Sequence, residues 1–214
     1  MEINDSQIST GYLNALLAGK RKKAQQLCNS YIQSEKSLKE LYENVMKPAL
    51  YEVGKLWEQN KISVAAEHLA TAITEGILNS FYADVIPEKY SGKKVVLACV
   101  DKEEHQVGIK MVADVFEMNK WESFFLGTGF PTSELIKYIK EVQPDVVALS
   151  LSVYFNFAQL KLMLNKLKSE FPEITIIIGG QALAHATETT LAEWKDILLF
   201  SDLYELDNYL RNLK

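Results

Sequence analysis

The chain has 214 residues, enough for one large domain or two small ones with a buried core. Apolar residues make up 48% and charged residues 24%, a globular balance that excludes a disordered chain. The net charge is −5 and no basic stripe runs through the sequence, so direct nucleic-acid binding is not expected.

The opening decapeptide is polar and acidic and lacks the apolar core of a signal peptide. No run approaches the roughly 20 apolar residues that span a bilayer. The expectation is therefore a soluble, cytoplasmic protein with no membrane partner.

From about residue 8 to residue 86 the patterning is helical. Tyr12, Leu13, Leu16 and Leu17 recur at one helical spacing, and Leu38, Leu41, Tyr42 and Val45 at another. Four helices are expected, roughly at 8–18, 21–33, 35–57 and 63–82, with Gly19 and Gly54 as breaks or close helix contacts and Pro48 as a kink or restart. The run Lys20–Arg21–Lys22–Lys23 reads as a solvated helix face. Short connections favour a compact four-helix bundle, and the first domain is placed at 1–86. Within it, Trp57 and the adjacent pair Glu67–His68 stand out, since a plain core helix has no use for an acid and an imidazole on its packing side. Taken singly, Trp57 reads as a partly buried core aromatic, and Glu67–His68 as a helix-start charge with a surface histidine.

After 86–92 the pattern changes. Short apolar, β-branched runs at 93–100, 122–127, 144–153, 174–180 and 196–201 alternate with helical stretches at 106–119, 132–141, 156–170, 182–193 and 204–213. Alternation with near-continuous apolar strands predicts an α/β domain over 92–214: a doubly wound, five-stranded parallel sheet of Rossmann-like or flavodoxin-like type. Ligands of such sheets bind beyond the carboxyl ends of the strands, which directs attention to the loops at 101–106, 127–131, 150–156 and 179–182.

The first of these loops places His105 where a helix should start, with Asp101, Glu103 and Glu104 beside it. For a lone histidine the plainer reading is an incidental surface residue beside acids that complement a helix dipole. The chemical reading makes His105 a metal ligand whose ring N–H is accepted by Glu103. An ordinary zinc site needs three or four protein ligands, and neither a second histidine nor Cys28 and Cys99, in distant segments, supply them. One protein ligand suffices for a metal that arrives inside a macrocycle. The loops after later strands favour that second reading. Ser150 and Ser152 offer small hydroxyls, and Gly179–Gly180 removes the Cβ where a ligand would approach the backbone.

Glu103, Glu104, His105, Gln106, Val107 and Gly108, then Ser150–Leu151–Ser152, then Gly179–Gly180, are separated by positions 109–149 and 153–178. In combination this is similar to the cobalamin-binding domains of the methionine synthase type, whose signature is D-x-H-x-x-G, S-x-L and G-G. Two positions depart from it: Glu103 stands for the usual Asp and Ser152 for the usual Leu. The resemblance implies that His105 displaces the cofactor's own benzimidazole and binds cobalt from below. It also implies that the nucleotide tail lies beside Ser150, Ser152, Tyr154, Gly179 and Gly180.

The spacing W-x9-E-H in the helical half resembles the cap of cobalamin-dependent photoreceptors, the light-responsive repressors of the MerR type. That implies that Trp57, Val64, Glu67 and His68 cover the upper face of the corrin, adenosylcobalamin being the preferred cofactor and methylcobalamin the other form. Some of those photoreceptors carry a histidine after the tryptophan that takes cobalt after photolysis; here that residue is Glu58, and His68 is the remaining imidazole. Two functional classes follow. One is a cobalamin sensor acting through a regulatory protein partner, in which a homo-oligomer is compatible with the family. The other is the corrinoid shuttle of a methyltransferase system, which needs methyltransferase partners because no catalytic acid–base set occurs in this chain.

Overall fold

The computed structural model describes residues 4–185 and 194–213. The chain divides into two compact units, Met1–Asp84 and Val85–Lys214.

The first unit is helical. Helix α1 (Asp5–Leu17) is capped by Asn4, whose side chain accepts from the Ser6 and Gln7 amides, and α2 (Arg21–Ile32) follows after Gly19 turns the chain at φ +64°. The third helix, α3, runs without interruption through Leu38–Glu40, a π-helical stretch Leu41–Met46, and Lys47–Glu58. Pro48 accounts for the π stretch. It has no N–H to give and its ring crowds the carbonyl four residues back, so the preceding turn widens and the Lys47 N–H bonds to the Tyr42 carbonyl instead. The Ser9 hydroxyl donates to the Val45 carbonyl at 3.0 Å, satisfying a group in the widened turn. The proline thus alters the helical turn without breaking the helix. Gly54 neither breaks α3 nor marks a close contact, since nothing lies within 4 Å of where its Cβ would be.

Helix α4 (Val64–Ser80) starts at Ser63, whose hydroxyl accepts from the Ala66 amide at 3.2 Å. Tyr12, Leu16, Tyr31, Leu41, Tyr42, Met46, Ile73, Ile77 and Leu78 are fully buried in this unit. Polar atoms inside the core are paired, as where the Tyr12 hydroxyl meets Thr74 Oγ1 at 2.9 Å.

The second unit is a five-stranded sheet of β1 (Lys94–Cys99), β2 (Glu122–Gly127), β3 (Val146–Ser150), β4 (Thr175–Gly179) and β5 (Ile197–Leu199). All pairs are parallel and the order is β2-β1-β3-β4-β5, the flavodoxin-like order, which reverses direction between β1 and β3. Helices α5 (Val107–Met118), α6 (Thr132–Val142), α7 (Phe157–Glu170) and α8 (Leu203–Asn212) complete it. Val96, Ala98, Val147, Leu149, Ile176 and Ile178 form one core with Leu135 and Ile139 of α6 and Leu160, Met163, Leu164 and Leu167 of α7. Alternation along the strands turns Val95, Leu97 and Cys99 to the opposite face.

Four strands are shorter than their apolar runs, β1 and β4 by one residue at each end and β3 and β5 by more. The run 144–153 becomes Val146–Ser150: Pro144 has no N–H for the ladder, and the amides of Ser152 and Val153 are taken by a side chain rather than by a neighbouring strand. The run 196–201 becomes Ile197–Leu199. The helix expected at 182–193 begins instead as a 3-10 turn, Gln181–His185, and 186–193 lies outside the described residues. Among the described residues no helix is long and apolar enough to cross a membrane.

Candidate functional site

Parallel pairing brings the three motifs of the second unit side by side. Cys99 at the end of β1 pairs with Ser150 at the end of β3, and Ser150 pairs with Gly179 at the end of β4. The loops that follow these residues therefore open at one edge, at the switch point where the strand order reverses.

Glu103 is the centre of that edge. It is 1% exposed, and its carboxylate accepts four N–H groups. Oε1 takes the His105 amide at 3.0 Å and the His105 Nδ1 at 2.5 Å. Oε2 takes the amides of Ser152 and Val153, both at 2.9 Å. Burial alone would raise the pKa of this carboxyl, but the hydrogen bonds from His105, Val153 and Ser152 outweigh it and hold the group below its ordinary range. An ionised Glu103 is acceptor only, so the Nδ1 facing it carries the proton. Nε2 is then the nitrogen through which the ring would bind a metal. The His105 side chain is 43% exposed, which leaves it accessible at the rim.

Cys99 is no rival ligand. Burial, with the Glu103 charge adding to it, pushes the thiol up to about 12, and the S–H donates to the His105 carbonyl at 3.5 Å. Among the described residues no group of three or more His, Cys, Asp or Glu side chains is arranged to hold a metal. This donor set fits a metal that brings its own equatorial ligands and asks the protein for a single imidazole.

The remaining predicted residues distribute around this core. Glu104 and Gly108 are exposed, Gln106 stands at the N-cap position of α5 without a side-chain capping bond, and Val107 is buried as the first residue of that helix. Gly108 has an ordinary φ and nothing within 4 Å of its absent Cβ, so neither conformation nor internal packing calls for glycine there. Gly179 is similarly open, its nearest neighbour being the Phe200 carbonyl oxygen at 4.0 Å. Gly180 differs: φ is +111° and a Cβ would stand 2.2 Å from the Leu151 carbonyl oxygen, so its role is close backbone approach within the protein. Ser150 is buried, Ser152 half-buried, and Tyr154 exposed with its ring tilted against Phe157 at 5.2 Å.

In the helical unit, Trp57 is next to last in α3 and is 40% exposed, while Val64 opens α4 and is 52% exposed. Glu67 lies in the first turn of α4 and His68 at the surface, as the plainer readings have them, but the Glu67 carboxylate is buried and paired: Oε1 accepts from Thr71 Oγ1 at 2.9 Å and Oε2 faces His68 Nδ1 at 2.6 Å. The His68 side chain is 70% exposed. Three partners were not legible from residue types. The Ser152 and Val153 amides carry no side-chain signal, and Asn156 shows only as a polar residue in the loop, where its Nδ2 donates to the Lys102 carbonyl at 3.1 Å.

The fold and this edge define a class: a helical unit joined to a flavodoxin-ordered α/β unit with one buried-carboxylate-held histidine at the switch point. Residues 8–80 and residues 93–200 each match a family model described as a B12 binding domain, and the second match alone spans half of the chain. The chain belongs to the B12-binding domain family.

Its relatives include proteins of two kinds. It is 28% identical over 143 residues to the HTH-type transcriptional repressor CarH of Myxococcus xanthus, covering 66% of this chain and 47% of that protein. The chain thus spans about half the length of that repressor. It is 25% identical over 153 residues to the dimethylamine corrinoid protein of Methanosarcina barkeri, covering 69% of this chain and 71% of that one. In fold it is similar to the monomethylamine corrinoid protein of Methanosarcina barkeri, with a TM-score of 0.82 and 11% identity, covering 99% of this chain and 100% of the other.

Proposed function

We propose that this chain is a cobalamin-dependent regulator that holds the cofactor base-off with His105 as the lower axial ligand to cobalt. It would act in the cytoplasm by changing its affinity for a regulatory protein or for its own copies. Within this reading Glu103 orients His105, and Ser150, Ser152, Tyr154, Gly179 and Gly180 receive the nucleotide tail. Glu104, Gln106, Val107 and Gly108 border the corrin, and Trp57, Val64, Glu67 and His68 contact the upper ligand, with adenosylcobalamin preferred. When bound, cobalamin would supply a cobalt–carbon bond that light or a methyl acceptor can break.

The observation that carries the regulatory reading is the Glu67–His68 pair. A buried carboxylate fixed at both oxygens and an exposed imidazole 2.6 Å from it flank, with exposed Trp57, the short connection between α3 and α4. A polar, hydrogen-bonded pair of this kind suits a hydroxylated upper ligand such as an adenosyl group better than a methyl. Similarity to the Myxococcus repressor points the same way. The signal would follow population-shift logic, the upper ligand binding one state of the protein better than the other.

A second reading, a corrinoid methyl carrier working with methyltransferase partners, is supported by the similarity to the dimethylamine corrinoid protein, of which the chain covers 71%. The deciding measurement loads the protein with adenosylcobalamin or methylcobalamin and records affinity, absorption spectrum and oligomeric state before and after green light. The regulatory reading expects tighter binding of the adenosyl form and a change of assembly on illumination. Equal affinities with no change of assembly would sink it in favour of the carrier.

A further inference from the structure

The carboxylate beside His105 does more than face one ring nitrogen. Its second oxygen reaches into the loop after β3, where it accepts the successive amides of Ser152 and Val153 at 2.9 Å each. A second tie runs in the same direction, from Asn156 Nδ2 to the carbonyl of Lys102 at 3.1 Å. Lys102 itself sits at φ +72°, and the Glu103 amide closes the turn onto the Val100 carbonyl at 2.8 Å. The loop that carries His105 and the loop that carries Ser152, Tyr154 and Asn156 are thus cross-linked by three hydrogen bonds, two of them to a buried charge.

Side-chain length matters here. An aspartate at 103 could face the imidazole but is one methylene shorter, and its far oxygen would fall short of the loop amides. A glutamine has the reach but only one acceptor oxygen, so one end of the contact must face an NH2 group.

We propose that Glu103 is a positioning residue that clasps the two loops into one unit, so that any displacement of His105 is passed directly to residues 152–156. The clasp rests on the reading of His105 as the cobalt ligand for its purpose, though not for its existence. It makes the tail-side loop preformed, and it gives the segment bearing Tyr154 and the 91% exposed Phe155 a mechanical link to the metal ligand.

The test uses the whole chain and begins without cofactor. Amide hydrogen exchange at Ser152 and Val153 is measured in the wild type, Glu103→Asp and Glu103→Gln. Charge-assisted hydrogen bonds of this kind predict exchange about 10–100-fold faster at both amides in Glu103→Asp. In the same variant, loaded with cobalamin, the His-ligated absorption spectrum persists while cofactor loss quickens at least about tenfold. Glu103→Gln loses either the protected amides or the His-ligated spectrum.

Protection at 152 and 153 that is absent in the wild type, or unchanged in both variants, overturns the clasp whatever cobalamin does. Should Glu103→Asp fail to fold, wild type against Glu103→Gln decides by the two readouts together: loss of either supports the clasp, and loss of neither overturns it. If the wild type shows protected amides, lost in Glu103→Asp, yet retains cobalamin without a His-ligated spectrum, the clasp stands and the assignment of His105 to cobalt fails.

Discussion

Glu103 Oε1 and His105 Nδ1 stand 2.5 Å apart, with the carboxylate fully buried and the imidazole at the rim of the sheet's carboxyl edge. A charge that is shielded from water and shared among four N–H donors fixes both the tautomer and the direction of the ring. That relationship is the basis on which the site's chemistry rests.

Replacing His105 with Ala removes the single imidazole of the switch-point loops. Cobalamin-loaded H105A should lack the His-ligated absorption spectrum and bind the cofactor at least about 10–100-fold more weakly, as titration by absorbance would read. A spectrum indistinguishable from the wild type would mean that cobalt is held in some other way.

The Glu103 carboxyl titrates below its ordinary range in the folded chain. Its contribution to stability is therefore complete above the unfolded value of about 4.3, and is lost as pH falls through the lower folded value. Chemical denaturation of the cofactor-free protein should show the gap between wild type and Glu103→Gln shrinking across that acidic window. A gap that widens on acidification would contradict the direction of the shift.

Gly179 and Gly180 should separate in mutagenesis. Gly180→Ala forces a Cβ against the Leu151 carbonyl oxygen at a left-handed φ, and should cost upward of about 1–3 kcal/mol in urea unfolding. Gly179→Ala meets nothing closer than 4.0 Å and should stay within about 0.5 kcal/mol of wild type. A bulkier Gly179→Val, equally folded, should weaken cobalamin binding if the tail lies there.

Trp57 is 40% exposed, so Trp57→Ala should change unfolding free energy by less than about 1 kcal/mol. The regulatory reading expects its effect elsewhere, in faster loss of the upper ligand of adenosylcobalamin, followed by absorbance in the dark and under green light. An unchanged rate in both conditions would remove Trp57 from the upper-ligand set.

Much of this was legible from residue order, and for identifiable reasons. The change from helical periodicity to alternating strands and helices after 86–92 is a property of local apolar spacing, and the five parallel strands follow it closely. Ser150 and Gly179 stood out as candidate site residues because they end strands, where a polar or glycine residue interrupts an apolar run, and His105 because it lies in the loop just before a helix. Strand ends were less legible. The run 144–153 is apolar but for Asp145, Ser150 and Ser152, and its strand stops at Ser150, where Glu103, far away in sequence, takes the amides of Ser152 and Val153. Pro48 was readable as a disturbance, but that the helix widens there without breaking, with the Ser9 hydroxyl donating to the Val45 carbonyl, is visible only in the fold.

Sequence by itself determined the two-part organisation and the parallel sheet, and it singled out His105 as a candidate ligand, because each depends on residue type and local spacing. Tertiary structure alone decided which atoms share a charge. The strand order β2-β1-β3-β4-β5 sets the loops after β1 and β3 next to each other, and the length of a glutamate side chain then spans them. Main-chain amides have no sequence signature, so the partners of a buried carboxylate become visible only when the backbone is folded around it.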